Sequence, residues 1–381
     1  MSQESLEFIR LSPGDPAPWF TQRACCNPAY RFDTAAGRYI VLAFFVASDE
    51  PKAQEVLSVL QTHRKLFDDD KISFFGISIS AEDDQKLKTA MPGIRWFIDA
   101  DLQVSKLYGS VARNFDAKEG KVKVRRLWYV LDPTLRVIKT IAIDNNDRHK
   151  EELVSFLQSL PPAEQWAGPT LQAPVLFLPN VLEPEICDRL VSIYKAHGGQ
   201  ESGFMRDIGG KTVAIVDHKH KRRRDVTLED EELLELLRHR IRRRIAPELE
   251  KAYFFKASRI ERFLVGCYDA ETGGYFNAHR DNTTKGTAHR RFAITINLNE
   301  DFEGGELNFP EYGPRTFKPP KGGAVVFSCA LLHAATPVTK GTRYAFLPFL
   351  YDEAAAKIRE QNIGFLENNQ NYTANLAEAS A

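Results

Sequence analysis

Between residues 160 and 174 the chain reads L-P-P-A-E-Q-W-A-G-P-T-L-Q-A-P, where four prolines and a glycine break every helical or strand periodicity. A break of this kind joins separately packed cores, and the patterns on its two sides differ. Upstream, apolar runs at 39–45, 72–78 and 128–131 read as buried strands and alternate with helical patterns at 53–67, 102–108 and 150–157. That alternation predicts an α/β sandwich. Downstream, helices at 184–196 and from 229 onward give way to short strands divided by Gly and Pro turns up to residue 351. Helices followed by closely spaced strands predict a β core buttressed by helices. The expected organisation is a multidomain chain: a first domain over 1–160, a linker over 161–174, a second domain over 175–353, and a C-terminal helix and tail over 354–381.

Apolar residues make up 43% and charged residues 27% of the 381, so each half can bury a core, and a disordered or collagen-like chain is excluded. Lys plus Arg equals Asp plus Glu at 51 each, so no global field draws in nucleic acid or an acidic membrane. Neither is expected as a partner. Five cysteines, two of them adjacent (Cys25 and Cys26), make no disulfide framework and suit a reducing compartment. The first ten residues lack a signal-peptide core and no later run reaches the length of a membrane span, so the expected location is cytoplasmic.

The strongest chemical pattern is His279-Arg280-Asp281, followed by His333 and Arg343. Residues two apart in an extended segment project to one side, so His279 and Asp281 can share an ion, and His333, after the apolar run 323–329, can reach it from a neighbouring strand. Two imidazoles and one carboxylate on one face of an octahedron leave open positions, the arrangement of non-haem Fe(II) oxygenases. Arg343 lies inside T-R-Y-A-F-L-P-F-L at 342–350, which otherwise reads as a buried strand, in phase with Ala345 and Leu347. A guanidinium there requires an anion, either a protein carboxylate or a bound dicarboxylate gripped by its bidentate fork.

The segments G-C-Y-D-A-E-T-G-G-Y-F-N-A-H-R-D-N, L-N-E-D-F-E-G-G-E-L, P-P-K-G-G-A-V-V-F-S and L-H-A-A-T-P-V-T-K-G-T-R-Y-A occur in this order between residues 266 and 345. Residues 173–352 thereby resemble the Fe(II)- and 2-oxoglutarate-dependent oxygenases, in particular the prolyl 4-hydroxylase-like group. The resemblance implies a double-stranded β-helix (jelly roll) with His279, Asp281 and His333 as iron ligands and Arg343 binding the C5 carboxylate of 2-oxoglutarate. It also implies that Tyr268 lines the cosubstrate pocket, while Gly304 and Gly305 form a turn without chemistry. Because Asp281 is retained, hydroxylation is expected rather than halogenation. Asn297 stands where many prolyl hydroxylases have a tyrosine that contacts 2-oxoglutarate. The implied activity is that of a dioxygenase hydroxylating an unactivated C–H bond, with Fe(II), 2-oxoglutarate and O2 as cofactor and cosubstrates, release of succinate and CO2, and ascorbate keeping the iron ferrous. A prolyl or other residue of a protein or peptide is the first candidate substrate. A free amino acid or natural-product intermediate is the alternative.

The densest positive run, H-K-H-K-R-R-R at 218–224, and arginines 238, 240 and 242–244 on the helix that Thr227 and Asp230 would cap read as solvated surface. The alternative is a basic rim that recruits an acidic peptide or a phosphorylated small molecule. In relatives the region before the β core supplies a substrate lid, and residues 198–216 are placed to do so. His218, His220 and His289 read as exposed polar residues beside arginines.

In the first half, G-D-P-A-P-W-F, G-R-Y-I-V-L-A-F-F, F-F-G-I-S-I-S, D-A-D-L-Q-V-S-K-L-Y-G and R-L-W-Y-V-L-D resemble peroxiredoxins of the alkyl hydroperoxide reductase type, which implies a thioredoxin-like fold over residues 14–157. Peroxidase catalysis needs an activated thiolate at a helix N-terminus. The corresponding stretch is F-F-V-A-S-D-E-P-K-A-Q, with no Cys near Ala53. Arg126 matches the arginine that would activate the thiolate and is expected in an ion pair instead. The first domain thus reads as a redox-inactive docking, substrate-presenting or homodimerising module, with a thiol peroxidase working through Cys25 and Cys26 as the alternative.

Overall fold

The computed structural model describes residues 6–24, 27–116, 121–145 and 148–366. Its internal contacts divide the chain into two compact units, 1–172 with 310–313, and 173–309 with 314–381. Cys25 and Cys26 lie outside the described residues. Among those described, no helix is long and apolar enough to cross a membrane.

The first unit is one seven-stranded sheet. Strands β1 (Thr21–Ala24), β2 (Asn27–Arg31), β3 (Tyr39–Phe45), β4 (Ile72–Ser78), β5 (Ile94–Ile98), β6 (Leu127–Leu131) and β7 (Val137–Ala142) lie in the order β2-β1-β5-β4-β3-β6-β7. The pairs β3–β4 and β4–β5 are parallel, whereas β3–β6 and β6–β7 are antiparallel. Every residue of β3, β4, β5 and β6 is buried, which is why they appear in the sequence as unbroken apolar runs rather than alternations. Helices α1 (Pro51–Thr62), α2 (Asp83–Lys86), α3 (Gln103–Leu107) and α4 (Arg148–Ser159) accompany the sheet. Tyr39, Val41, Ala43 and Phe45 of β3 pack with Val56, Val59 and Leu60 of α1 and with Leu153 and Leu157 of α4. A second aromatic group joins Phe44 to Tyr108 and Tyr129, with ring centroids 5.3 and 5.9 Å away.

Where the sequence lacks the thiolate, the structure has a closed ion pair. Ala53 is fully buried in α1, Glu50 is the N-cap, and Arg126 donates to both Glu50 oxygens at 3.1 and 2.6 Å. Beside it, Trp128 Nε1 donates to His149 Nδ1 at 3.2 Å, so the His149 proton sits on Nε2, 2.8 Å from Glu55 Oε2.

The second unit has all its strand pairs antiparallel. It opens with β8 (Val175–Leu178) and α5 (Pro184–His197), then β9 (Gln200–Glu201), the hairpin β10 (Phe204–Ile208) and β11 (Lys211–Ile215), β12 (Lys221–Arg222) and β13 (Arg224–Thr227). Helices α6 (Glu231–Arg244) and α7 (Ala246–Tyr253) follow, then β14 (Arg259–Glu261), β15 (Leu264–Asp269), β16 (Tyr275–His279) and β17 (Phe292–Asn297). The chain closes with β18 (Glu303–Gly304), β19 (Leu307–Asn308), β20 (Thr316–Phe317), β21 (Ala324–Ser328), β22 (His333–Ala335), β23 (Val338–Lys340), β24 (Thr342–Phe346), β25 (Phe349–Tyr351) and α8 (Glu353–Asn362).

The larger sheet runs β14-β25-β17-β24-β15-β13-β9, with β21 also on β17 and β8 on β21. The smaller runs β12-β16-β22-β19-β20. Residues 342–350, which read as one strand, are two: Pro348 cannot donate to a ladder, and the chain breaks there into β24 and β25, both paired to β17. One face of the larger sheet, including Val265, Cys267, Ile294, Ile296, Phe346 and Leu350, packs with Leu190 of α5, Leu233, Leu237 and Ile241 of α6, and Leu249 of α7. The other face carries Tyr268, which clusters with Phe276 and Ala335 of the smaller sheet.

Asp230 alone caps α6, its side chain accepting from Glu232 N and Leu233 N, while Thr227 belongs to β13. Three of the α6 arginines are tied down. Arg240 and Arg244 reach Glu183 at 3.0 and 2.6 Å, and the Arg244 hydrogen bond chiefly pulls the Glu183 carboxyl down to about 2. Arg238 pairs with Glu231 at 2.6 Å.

In the first unit Asp69 accepts from both Arg95 Nη groups at 2.7 and 2.8 Å and from Ser73 Oγ at 2.6 Å, at a φ of 69°. Burial favours its neutral form, but Arg95 and Ser73 outweigh that and hold the carboxyl well below its usual range. A folded-state pKa below the unfolded one stabilises above the unfolded value and fades as the pH falls. Asp69→Asn keeps a residue that tolerates this backbone region and is expected to cost about 1–3 kcal/mol at neutral pH. In thermal unfolding the gap from wild type should narrow as the pH drops below about 5; a gap independent of pH would contradict the ion pair.

Candidate metal centre

His279 ends β16 and His333 begins β22, and the two are direct partners across that antiparallel pair. Asp281 follows after one residue, its backbone N–H donating to Cys329 O at 3.0 Å. Arg280, between the two ligand-type residues, turns away and donates to Ala330 O. One ligand atom from each of His279, Asp281 and His333 lies within 4.8 Å of the others. His279 Nε2 is 3.6 Å from Asp281 Oδ1, and His333 Nε2 is 3.3 Å from Asp281 Oδ2.

The remaining ring nitrogens are engaged: His279 Nδ1 donates to Asn277 O at 2.7 Å and His333 Nδ1 to Leu331 O at 3.0 Å. With the proton held on Nδ1, each Nε2 lone pair faces the gap, the usual outer support of a metal-binding histidine. Phe276 stacks on His279 with centroids 3.5 Å apart, and Phe327 meets His333 edge-on at 4.6 Å. Burial, followed by the neighbouring His333, pushes His279 down to about 4, so its imidazole is neutral near pH 7, as ligation requires. Burial alone would favour a protonated Asp281, but His333 and His279 reverse this and hold its carboxyl well below the usual range. Two imidazoles and one carboxylate fit an octahedral non-haem Fe(II) ion with open positions.

Arg343, only 3% exposed, lies on β24 opposite Tyr268 of β15. Its Nε donates to Asn297 Oδ1 at 3.0 Å and its Nη2 to Thr295 Oγ1 at 2.7 Å, and its guanidinium lies 5.4 Å from the Tyr268 ring. Among the described residues no carboxylate pairs with it, which removes the internal salt bridge as its explanation. Burial pushes its pKa down. Gly305, at φ +67°, passes so near that an added Cβ would lie 3.2 Å from Arg343 Cδ. Tyr268 is buried, and Arg223 Nη1 donates to its hydroxyl at 3.4 Å.

Thr295 was not expected at this site, and Asn297, noted only as standing where many prolyl hydroxylases have a tyrosine, was not expected to hold Arg343. The trace they leave in sequence is two polar residues in phase on an otherwise apolar strand, F-A-I-T-I-N. Two histidines depart from the exposed reading. His289 is buried, 2.6 Å from Glu261 Oε2, and His220 lies between Phe204 at 4.4 Å and Phe276 at 5.5 Å. His218 is exposed, with Glu201 at 3.1 Å.

Residues 263–351 match the family model of the 2OG-Fe(II) oxygenase superfamily. A PKHD-type hydroxylase of Synechococcus sp. (strain JA-2-3B'a(2-13)) is 31% identical over 121 residues, covering 29% of this chain and 53% of that one, so the chain spans about half the length of such curated relatives. Among solved structures, a Pseudomonas putida prolyl-4-hydroxylase has 14% identity and a TM-score of 0.38, covering 50% of this chain and 96% of that one. Peroxidoxin BcpB from Mycobacterium tuberculosis has 20% identity and a TM-score of 0.33, covering 40% of this chain and 99% of that one. Within the second unit, residues 263–351 are thus similar in sequence to the 2OG-Fe(II) oxygenase superfamily.

Proposed function

We propose that the chain is an Fe(II)- and 2-oxoglutarate-dependent dioxygenase that hydroxylates an unactivated C–H bond of a protein or peptide side chain, releasing succinate and CO2. The observation that carries this reading is the pairing of a His279–Asp281–His333 donor set with a buried Arg343 that meets no carboxylate among the described residues. The PKHD-type relatives support hydroxylation as the reaction class. When bound, the iron supplies oxygen activation coupled to oxidative decarboxylation of 2-oxoglutarate. The protein's own part is positional. Asn277 O and Leu331 O hold the imidazole protons away from the metal side, Phe276 packs over His279, and Thr295 and Asn297 fix the Arg343 fork for the C5 carboxylate. In this reading the two sheets form a double-stranded β-helix over residues 175–353, joined through 161–174 to a peroxiredoxin-like domain over 1–160. The Arg126–Glu50 pair and Ala53 support a first domain without peroxidase chemistry.

Supplied with Fe(II), the full chain is expected to release succinate from 2-oxoglutarate, and His279→Ala to abolish it; undiminished turnover in that variant would remove the site. Arg343→Gln should weaken 2-oxoglutarate binding by about 30-fold or more, the worth of a charge-assisted fork, with metal affinity unchanged. For the first domain, metal-free full-length protein should consume peroxide no faster than a Cys25→Ser, Cys26→Ser double variant. Rapid consumption lost in that variant would establish a peroxidase.

A further inference from the structure

The buried phenol of Tyr268 has one hydrogen-bonding direction in use and one without a partner. Its residue stands opposite Arg343 across the β15–β24 pair, with the Arg343 guanidinium 5.4 Å from its ring, and it packs with Phe276, the ring stacked on His279. Tyr268 thus adjoins both Arg343 and the aromatic cover of the metal donors. Its hydroxyl is bonded by Arg223 Nη1 at 3.4 Å. A guanidinium has no acceptor, so in this bond the phenol oxygen accepts, and the phenol's own proton has no acceptor among the described residues. Burying a hydroxyl with its proton unused costs free energy that an arriving acceptor recovers.

Arg223, between β12 and β13, is buried and fixed on its remaining edges. Its Nε and Nη2 fork onto Asp225 Oδ1 and Oδ2, both at 2.7 Å, and Nη2 also donates to Ser202 Oγ at 3.2 Å. Ser202 is anchored in turn: its N–H donates to Arg223 O at 3.0 Å, and its Oγ donates to Asp225 Oδ2 at 2.5 Å while accepting from Lys221 Nζ at 2.7 Å. The room for this pair comes from Gly266, two residues before Tyr268 on the same face of β15. A Cβ added there would lie 3.1 Å from Arg223 Cδ and 3.2 Å from Asp225 Oδ1. Because Asp225 neutralises Arg223, this guanidinium is no seat for a second anion. The edge it has left is the one facing Tyr268, with the guanidinium carbon 5.8 Å from the ring centre. The phenol therefore lies near two guanidinia in different states, Arg223 with a carboxylate and Arg343 with none among the described residues.

We propose that Arg223, locked by Asp225 and Ser202, is a positioning residue for the cosubstrate: by donating to the Tyr268 oxygen it turns the phenol's proton toward a carboxylate oxygen of the dicarboxylate that Arg343 grips. This rests on the oxygenase reading and adds to it a residue that does not itself touch the dicarboxylate. A hydroxyl that already accepts from a cation is polarised into a stronger donor, and a rotor held in one direction has less freedom to lose on binding.

The test is a double-mutant cycle on full-length protein loaded with Mn(II), with 2-oxoglutarate binding read by calorimetry and Mn(II) affinity measured separately. Tyr268→Phe should weaken 2-oxoglutarate binding about tenfold or more, the size expected of a hydrogen bond to a charged group. Arg223→Met should weaken it about fivefold in the wild-type background and less than about twofold once residue 268 is Phe, because its effect passes through the phenol proton. Mn(II) affinity should stay within about twofold in every variant. If Arg223→Met fails to fold because Asp225 is left unpaired, Arg223→Met with Asp225→Asn removes the pair without stranding a charge and replaces it in the cycle. An arginine loss as large in the Tyr268→Phe background as in wild type marks a merely structural residue and overturns the proposal. Unchanged 2-oxoglutarate affinity in either single variant, or Mn(II) affinity that falls with it, does the same. Wild-type protein that binds no 2-oxoglutarate, or unchanged affinity in Arg343→Gln, overturns the oxygenase reading itself and the proposal with it.

Discussion

The antiparallel register of β16 and β22 is the constraint on which the second unit's candidate metal centre rests. It sets His279 directly opposite His333, two residues whose sequence positions are far apart. Side chains directly opposed in such a ladder come within bonding distance of one ion, and Asp281, just past the strand end, closes the set. A slip of one residue in either strand would turn an imidazole to the other face. Register is held by what surrounds it: Leu307 of β19 pairs with Ala335 of β22, Lys221 of β12 pairs with Phe276 of β16, and Phe276, Ala335 and Tyr268 pack together.

The larger sheet divides its labour by face. One face is apolar and takes the helices. The other brings in a guanidinium, a tyrosine, a threonine and an asparagine, a set that would be costly to bury without partners of its own. Thr295 and Asn297 share the work of holding Arg343, which meets no carboxylate among the described residues, so the strand that carries them packs helices on one side and positions the guanidinium on the other.

In the first unit an ion pair occupies the place where the resemblance called for a reactive thiolate. Glu50 accepts from Arg126 Nε and Nη2, and α1 begins beside it with Ala53 packed into the core.

Chain patterns alone carried the two-part organisation, the buried strands of the first unit and the H-x-D, His and Arg residues, because these are local signals: apolar runs, a proline-rich break and short spacings. Less was legible where meaning depends on partners distant along the chain. His289 looked exposed because its neighbours are arginines, and its burial follows from Glu261, 28 residues away. The 342–350 run looked continuous, although Pro348 ends one strand and lets the next pair elsewhere along β17. The amino-acid order by itself determined which donors and cations are present and which faces are apolar. Only the tertiary structure decided which buried charges meet a partner, since pairing across strands is set by register and packing rather than by proximity along the chain.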